Sequence, residues 1–152
     1  TLTGVGEVLK VARPDVRITA CEPAGASLLA GKEWQPHKIQ GWTPDFVPEV
    51  LNRDVTDAIL PIDDVLARDT ARRLAAEEGI FVGISAGAVA WSAFELAKEL
   101  GPGKRVVAVL PDTGERYLST ALFEYTDLVN QPATTPQRLA DQAAAAAAAP
   151  TA

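Results

Sequence analysis

At 152 residues and 47% hydrophobic content, the chain is long enough to bury one sizeable core. A net charge of −6 and a pI near 4.7 leave no basic excess to displace counterions from a phosphate backbone, which argues against nucleic acid as a partner. Cys21 is the only cysteine, so no intrachain disulfide can form and a cytoplasmic location is the default expectation. No run of about eighteen apolar residues and no basic-then-apolar leader pattern is present, so neither a membrane span nor a secretion signal is expected.

The chain opens at Thr1-Leu2-Thr3-Gly4-Val5-Gly6, a glycine-rich stretch that runs straight into helical spacing, as mid-domain sequence does. A missing amino-terminal part is therefore expected. Val5, Val8, Leu9 and Ala12 stand at helical intervals and Pro14 closes the segment, which predicts a first helix. Val16 to Cys21 reads as a strand. Glu22 to Pro48 holds no sustained period and reads as a long excursion, with Trp34, Ile39, Trp42 and Phe46 favouring packing over disorder.

A short strand is expected at Asp57 to Leu60, then a helix capped by Asp63 or Asp64 and stopped by Gly79. Ile80-Phe81-Val82 reads as a strand that turns through Gly83-Ile84-Ser85-Ala86-Gly87 into a helix reaching Leu100, where Gly101-Pro102 ends it. Arg105 to Leu110 reads as one more buried strand. Strands alternating with helices predict an α/β fold, a parallel sheet with helices on both faces. Residues 1–126 form the expected domain, and 127–152 a Pro- and Ala-rich low-complexity tail to which no function is assigned.

Three readings of the Gly83-x-Ser85-x-Gly87 turn compete. A nucleophile elbow requires a histidine after the serine, and the single histidine, His37, precedes it. The glycines can instead serve tight strand-to-helix packing, with Ser85 merely capping the helix. Alternatively, Ser85 offers a neutral hydroxyl to a ligand at the carboxyl end of the sheet, where open α/β folds gather their ligands. Such a hydroxyl can hydrogen-bond a heterocyclic nitrogen without protonating it.

Six segments decide how that choice is weighed: Thr1-Leu2-Thr3-Gly4-Val5-Gly6; Glu22-Pro23; His37-Lys38-Ile39-Gln40-Gly41; Phe46-Val47-Pro48-Glu49-Val50-Leu51; Glu78 to Ala88; and Leu110-Pro111-Asp112-Thr113-Gly114-Glu115-Arg116-Tyr117-Leu118-Ser119-Thr120. In this order and spacing, from Thr1 to about Glu124, they resemble the carboxy-terminal half of cysteine synthase (O-acetylserine sulfhydrylase), a fold-type II pyridoxal-phosphate enzyme family with a tryptophan synthase β-like fold.

The resemblance implies pyridoxal 5′-phosphate as cofactor. It implies that Thr1 is the last threonine of a phosphate-holding loop, that Ser85 hydrogen-bonds the pyridine nitrogen, and that Pro111-Asp112 form a turn beside the ring. Gln40-Gly41 would line the substrate mouth. Gly41 read simply as a turn and Asp112 as a helix cap stay open beside these roles. Where many members follow Gln-Gly with small residues, this chain has Trp42-Thr43-Pro44-Asp45, a departure that bears on substrate choice.

The implied reaction makes L-cysteine from O-acetylserine and sulfide in a homodimer, with serine acetyltransferase as a possible partner; a cystathionine β-synthase-like activity is the rival. The Schiff-base lysine has no counterpart here, since none of Lys10, Lys32, Lys38, Lys98 or Lys104 lies in a matching context. The chain alone is thus expected to be inactive, and a non-catalytic binding module is the reading from a different class. His37 and Cys21 are expected to be structural, Arg72-Arg73 with Glu77-Glu78 a solvated helix face, and no metal site is expected.

Overall fold

The computed structural model describes residues 1–123; the expected tail at 127–152 lies outside the described residues. Helix α1 (Leu2–Ala12) leads to strand β1 (Thr19–Pro23), and after a long excursion comes β2 (Ala58–Ile62). Two helices follow, α2 (Asp64–Glu78) and α3 (Ile84–Leu100). β1 and β2 pair in parallel, with Thr19 opposite Ala58 and Pro23 opposite Ile62, so the chain is α/β with a parallel sheet.

Local chemistry explains the boundaries. The ladder starts at Thr19 rather than Val16 because the Asp57 carboxylate takes the Ile18 N–H at 2.6 Å and the Lys10 ammonium at 2.7 Å, while Lys10 also donates to the Val16 carbonyl at 2.9 Å. These bonds tie the end of α1 to the sheet edge and leave the residues before Thr19 outside it. Helix α1 sits close on a short 3-10 turn at Arg53–Val55, where a Cβ added to Gly6 would meet Val55 Cγ2 at 2.6 Å. Asp63 caps α2 by accepting from the Val65 N–H at 2.7 Å, and Gly79, with φ 69°, ends it as expected.

Helices α2 and α3 cross in intimate contact through Ala67, Ala71, Gly87 and Ala88. Small residues on both helices bring the backbones together: a Cβ at Gly87 would collide with the Ala67 carbonyl and lie 2.7 Å from the Ala71 nitrogen. Buried Ile39, from the excursion, and Ile62, from β2, join the same core.

Two expected strands are corrected. Among the described residues Val82 forms only an isolated antiparallel bridge, to Thr113, and 105–110 forms no strand. A buried parallel strand needs a neighbour to receive its ladder bonds. Here 112–114 folds back along 81–83 instead, with the Gly83 N–H on the Asp112 carbonyl (3.3 Å) and the Gly114 N–H on that of Phe81 (3.2 Å). Val107 and Val109 are left 81% and 50% exposed. Apolar exposure continues on α1, where Val8 is 68% and Val11 85% exposed.

The helix face expected to be solvated is also only partly so. Arg73 and Glu77 form an i,i+4 pair at 2.7 Å. Arg72 instead straps the segment after Tyr117, donating to the Leu122 carbonyl at 2.6 Å and to that of Ala121 at 2.9 Å. No helix among the described residues is long and apolar enough to cross a membrane.

Candidate functional site

A cleft of about 420 Å³ opens where three stretches meet. The excursion contributes Gln40, Gly41 and Trp42, the start of α3 contributes Ser85, and the fold-back segment contributes Pro111, Asp112, Arg116 and Tyr117. Five of the six residues singled out from the sequence therefore share one cavity although they lie up to 72 positions apart in the chain. Thr1 does not line it; it is the exposed N-cap of α1, and its side chain makes no capping bond.

Ser85 occupies the first turn of α3, after Gly83 as N-cap, and is 94% removed from solvent (6% exposed). Its hydroxyl makes no hydrogen bond with any other described residue, so the reading of Ser85 as a simple helix cap does not apply; Gly83 is the N-cap. A neutral O–H at a helix amino terminus, where backbone N–H groups also point outward, suits a ligand with an acceptor nitrogen or an anionic edge. This is the donor that the pyridine nitrogen of pyridoxal phosphate would need, and the residues present fit that group.

The opposite lip is held by Asp112. Its carboxylate accepts from the Tyr117 hydroxyl and from the Thr113 N–H at 2.8 Å, and the Arg116 guanidinium approaches to 3.3 Å. The Tyr117 hydroxyl, foremost among these, holds the Asp112 carboxyl below the usual carboxylate range; the same bond, with some burial, pushes the Tyr117 phenol above its ordinary value. Arg116 and Tyr117, from the same segment as Pro111 and Asp112, line the cleft without a role expected from the sequence. A 3-10 turn, Gly114–Tyr117, brings its last two residues to the lip beside Asp112.

His37 is a loop staple and does not line the cleft. Its Nδ1 accepts from the Ile39 N–H at 3.3 Å, which assigns the proton to Nε2, and Nε2 donates to the Thr43 carbonyl at 3.3 Å. Burial pushes the Cys21 thiol up, away from a reactive thiolate. No group of three His, Cys, Asp or Glu side chains that could hold a metal exists among the described residues. No lysine lines the cleft, and Lys10 is committed to Asp57.

The family model described as "Pyridoxal-phosphate dependent enzyme" matches residues 1–112. The chain belongs to the pyridoxal-phosphate dependent enzymes. It is 59% identical over 127 residues to O-ureido-L-serine synthase of Streptomyces lavendulae, covering 84% of this chain and 39% of that protein. It is 49% identical over 127 residues to a cysteine synthase of Staphylococcus aureus, covering 84% of this chain and 41% of the relative. The solved structure of O-acetyl serine sulfhydrylase isoform 3 from Entamoeba histolytica superposes with a TM-score of 0.82 at 38% identity, over 93% of this chain and 41% of the other. The chain thus spans about two fifths of the length of these relatives. Members of this pyridoxal-phosphate family use that cofactor, and the fold is shared with its fold-type II enzymes.

Proposed function

We propose that this chain is part of an enzyme that replaces the β-substituent of an activated L-serine, with Ser85 as the partner of the cofactor's ring nitrogen. The observation that carries the reading is the convergence of Gln40, Gly41, Ser85, Pro111 and Asp112 on one cleft. When bound, pyridoxal phosphate supplies the electron sink that makes the substrate's α-proton removable. Ser85 would serve the ring nitrogen as a neutral donor that does not protonate it, which would suit elimination at the β-carbon more than transamination. Gln40 and Gly41 bind the substrate at the mouth, while Pro111 and Asp112 bound the ring. Thr1, at the amino terminus of α1, is proposed as a phosphate contact of the complete protein.

With O-acetylserine as substrate, the bond from the β-carbon to the acetyl oxygen breaks, acetate leaves with the electron pair, and the α-proton departs to a base. A nucleophile then forms the new β-carbon bond and the α-carbon regains a proton. Sulfide as nucleophile gives L-cysteine. N-Hydroxyurea, attacking through its hydroxyl oxygen, gives O-ureido-L-serine. The second product is favoured by the 59% identity to O-ureido-L-serine synthase against 49% to the cysteine synthase, and by Trp42 where many cysteine synthases keep a small residue.

The base is a lysine outside this sequence, since none of the five lysines lines the cleft. Catalysis therefore belongs to the full-length protein, as a cytoplasmic homodimer; docking of serine acetyltransferase in the cleft belongs to the sulfide reading only. The test is to supply the full-length protein with O-acetylserine and either nucleophile and to quantify both products. Formation of either above a cofactor-free control supports β-substitution; formation of neither rejects it in favour of a binding module.

A further inference from the structure

Trp42 stands in the cleft beside Gln40 and Gly41 and is packed from behind against buried core residues. The chain around it is held by several independent bonds. Ile39 is fully buried and its carbonyl receives the Trp42 N–H at 3.3 Å, closing a turn through Gly41 at φ 75°. Lys38 donates its N–H to Asp64 at the start of α2 at 2.7 Å.

The next residue, Thr43, adopts φ 42°, a left-handed conformation that a β-branched residue rarely takes. It is held by its carbonyl, which accepts both the Trp34 indole N–H at 3.0 Å and His37 Nε2 at 3.3 Å. Strain of this kind persists where the surroundings over-determine it, and it gathers at binding sites. Trp34 spends its indole N–H on this clamp, whereas the Trp42 indole N–H has no acceptor among the described residues. One rigid aromatic side chain with a spare donor is thus built into the substrate end of the cleft.

We propose that Trp42 is the specificity-determining residue for the second half of the reaction, selecting a flat, neutral, carbonyl-bearing nucleophile of the urea type over hydrosulfide. This rests on the β-substitution reading above. A planar ureido group can stack on the indole and accept its N–H, while a small anion gains neither contact and meets the electron-rich ring face unfavourably. The wall also occupies space that small residues would leave open, so the nucleophile is chosen by shape as well as by charge.

The test uses the full-length holoenzyme with O-acetylserine, comparing Trp42→Ala and Trp42→Phe with the wild type. The readout is the ratio of kcat/KM for N-hydroxyurea to kcat/KM for sulfide, with cofactor absorbance confirming loading of each variant. Trp42→Ala is expected to lower that ratio at least tenfold. Trp42→Phe, which keeps the ring and its packing but not the N–H, is expected to fall in between and serves if the alanine variant does not fold. An unchanged ratio in an active Trp42→Phe and an active Trp42→Ala overturns the proposal, as does a wild type that prefers sulfide. A wild type that turns over neither nucleophile overturns the β-substitution reading itself.

Discussion

The ring of Tyr117 fills the space that a side chain at Gly83 would need: an added Cβ would lie 2.5 Å from its Cε2 and 3.2 Å from its Cδ2. Because the Tyr117 hydroxyl also binds Asp112, one side chain couples the turn that carries Ser85 to the opposite lip of the cleft. Gly83→Ala should therefore push the two apart. Overpacking of this sort costs about 1–3 kcal/mol, so a lowered Tm together with weakened cofactor binding is expected in the full-length protein. A Tm and cofactor affinity equal to those of the wild type would show that the ring moves freely.

Gly87→Ala tests the α2–α3 crossing. Its Cβ would meet the Ala67 carbonyl and the Ala71 nitrogen, which are backbone atoms on the buried face of α2 and cannot swing aside. The expected loss is at the upper end of the same range, about 3 kcal/mol or more, read by denaturant unfolding. Gly4→Ala, at a position with nothing within 4 Å of the added methyl, is the control and should be neutral or slightly stabilising.

The Tyr117–Asp112 bond sets a pH window. The Asp112 carboxyl is depressed, chiefly by the Tyr117 hydroxyl, so its contribution is present above the ordinary aspartate range and is lost as pH falls through the depressed value. The Tyr117 phenol is raised, chiefly by Asp112, so its contribution holds below the ordinary tyrosine range and is lost as pH rises through the raised value. Tyr117→Phe should lower Tm across the neutral range and converge with the wild type in strong acid. Parallel curves down to the lowest pH would mean that the bond contributes nothing.

Ser85→Ala should weaken cofactor binding by roughly tenfold or less, the worth of one neutral hydrogen bond. Ser85→Asp should instead protonate the ring nitrogen and change the visible absorption of the bound cofactor. Titration of the full-length protein with pyridoxal phosphate checks both. Equal affinity and an equal spectrum in all three proteins would remove Ser85 from the site.

Of the cleft residues, only Ser85 was legible from local chemistry, at its glycine-flanked turn; Gln40, Gly41, Pro111 and Asp112 entered through the resemblance of their segments to cysteine synthase. Ser85 lies two residues after Gly83, which must admit Tyr117, and Pro111-Asp112 come just before the 3-10 turn Gly114–Tyr117 with its N-cap Thr113. The cap of α2 at Asp63 and its stop at Gly79 were equally local. The expected strands at 80–82 and 105–110 failed for the opposite reason: an apolar run states that a segment wants burial, not which partner receives its ladder bonds. Trp42 was visible as a departure, but its place depends on Ile39, Trp34 and His37 acting together, which no spacing encodes.

The most direct measurement is the intact mass and peptide map of the full-length protein after borohydride reduction, which would make any lysine-bound cofactor permanent. A pyridoxyl adduct on a lysine other than Lys10, Lys32, Lys38, Lys98 and Lys104 is the expected result, with Ser85 then facing the ring from this part of the fold. An adduct on one of those five lysines, or no adduct at all, would contradict the assignment of the Ser85 cleft as one side of a pyridoxal-phosphate site.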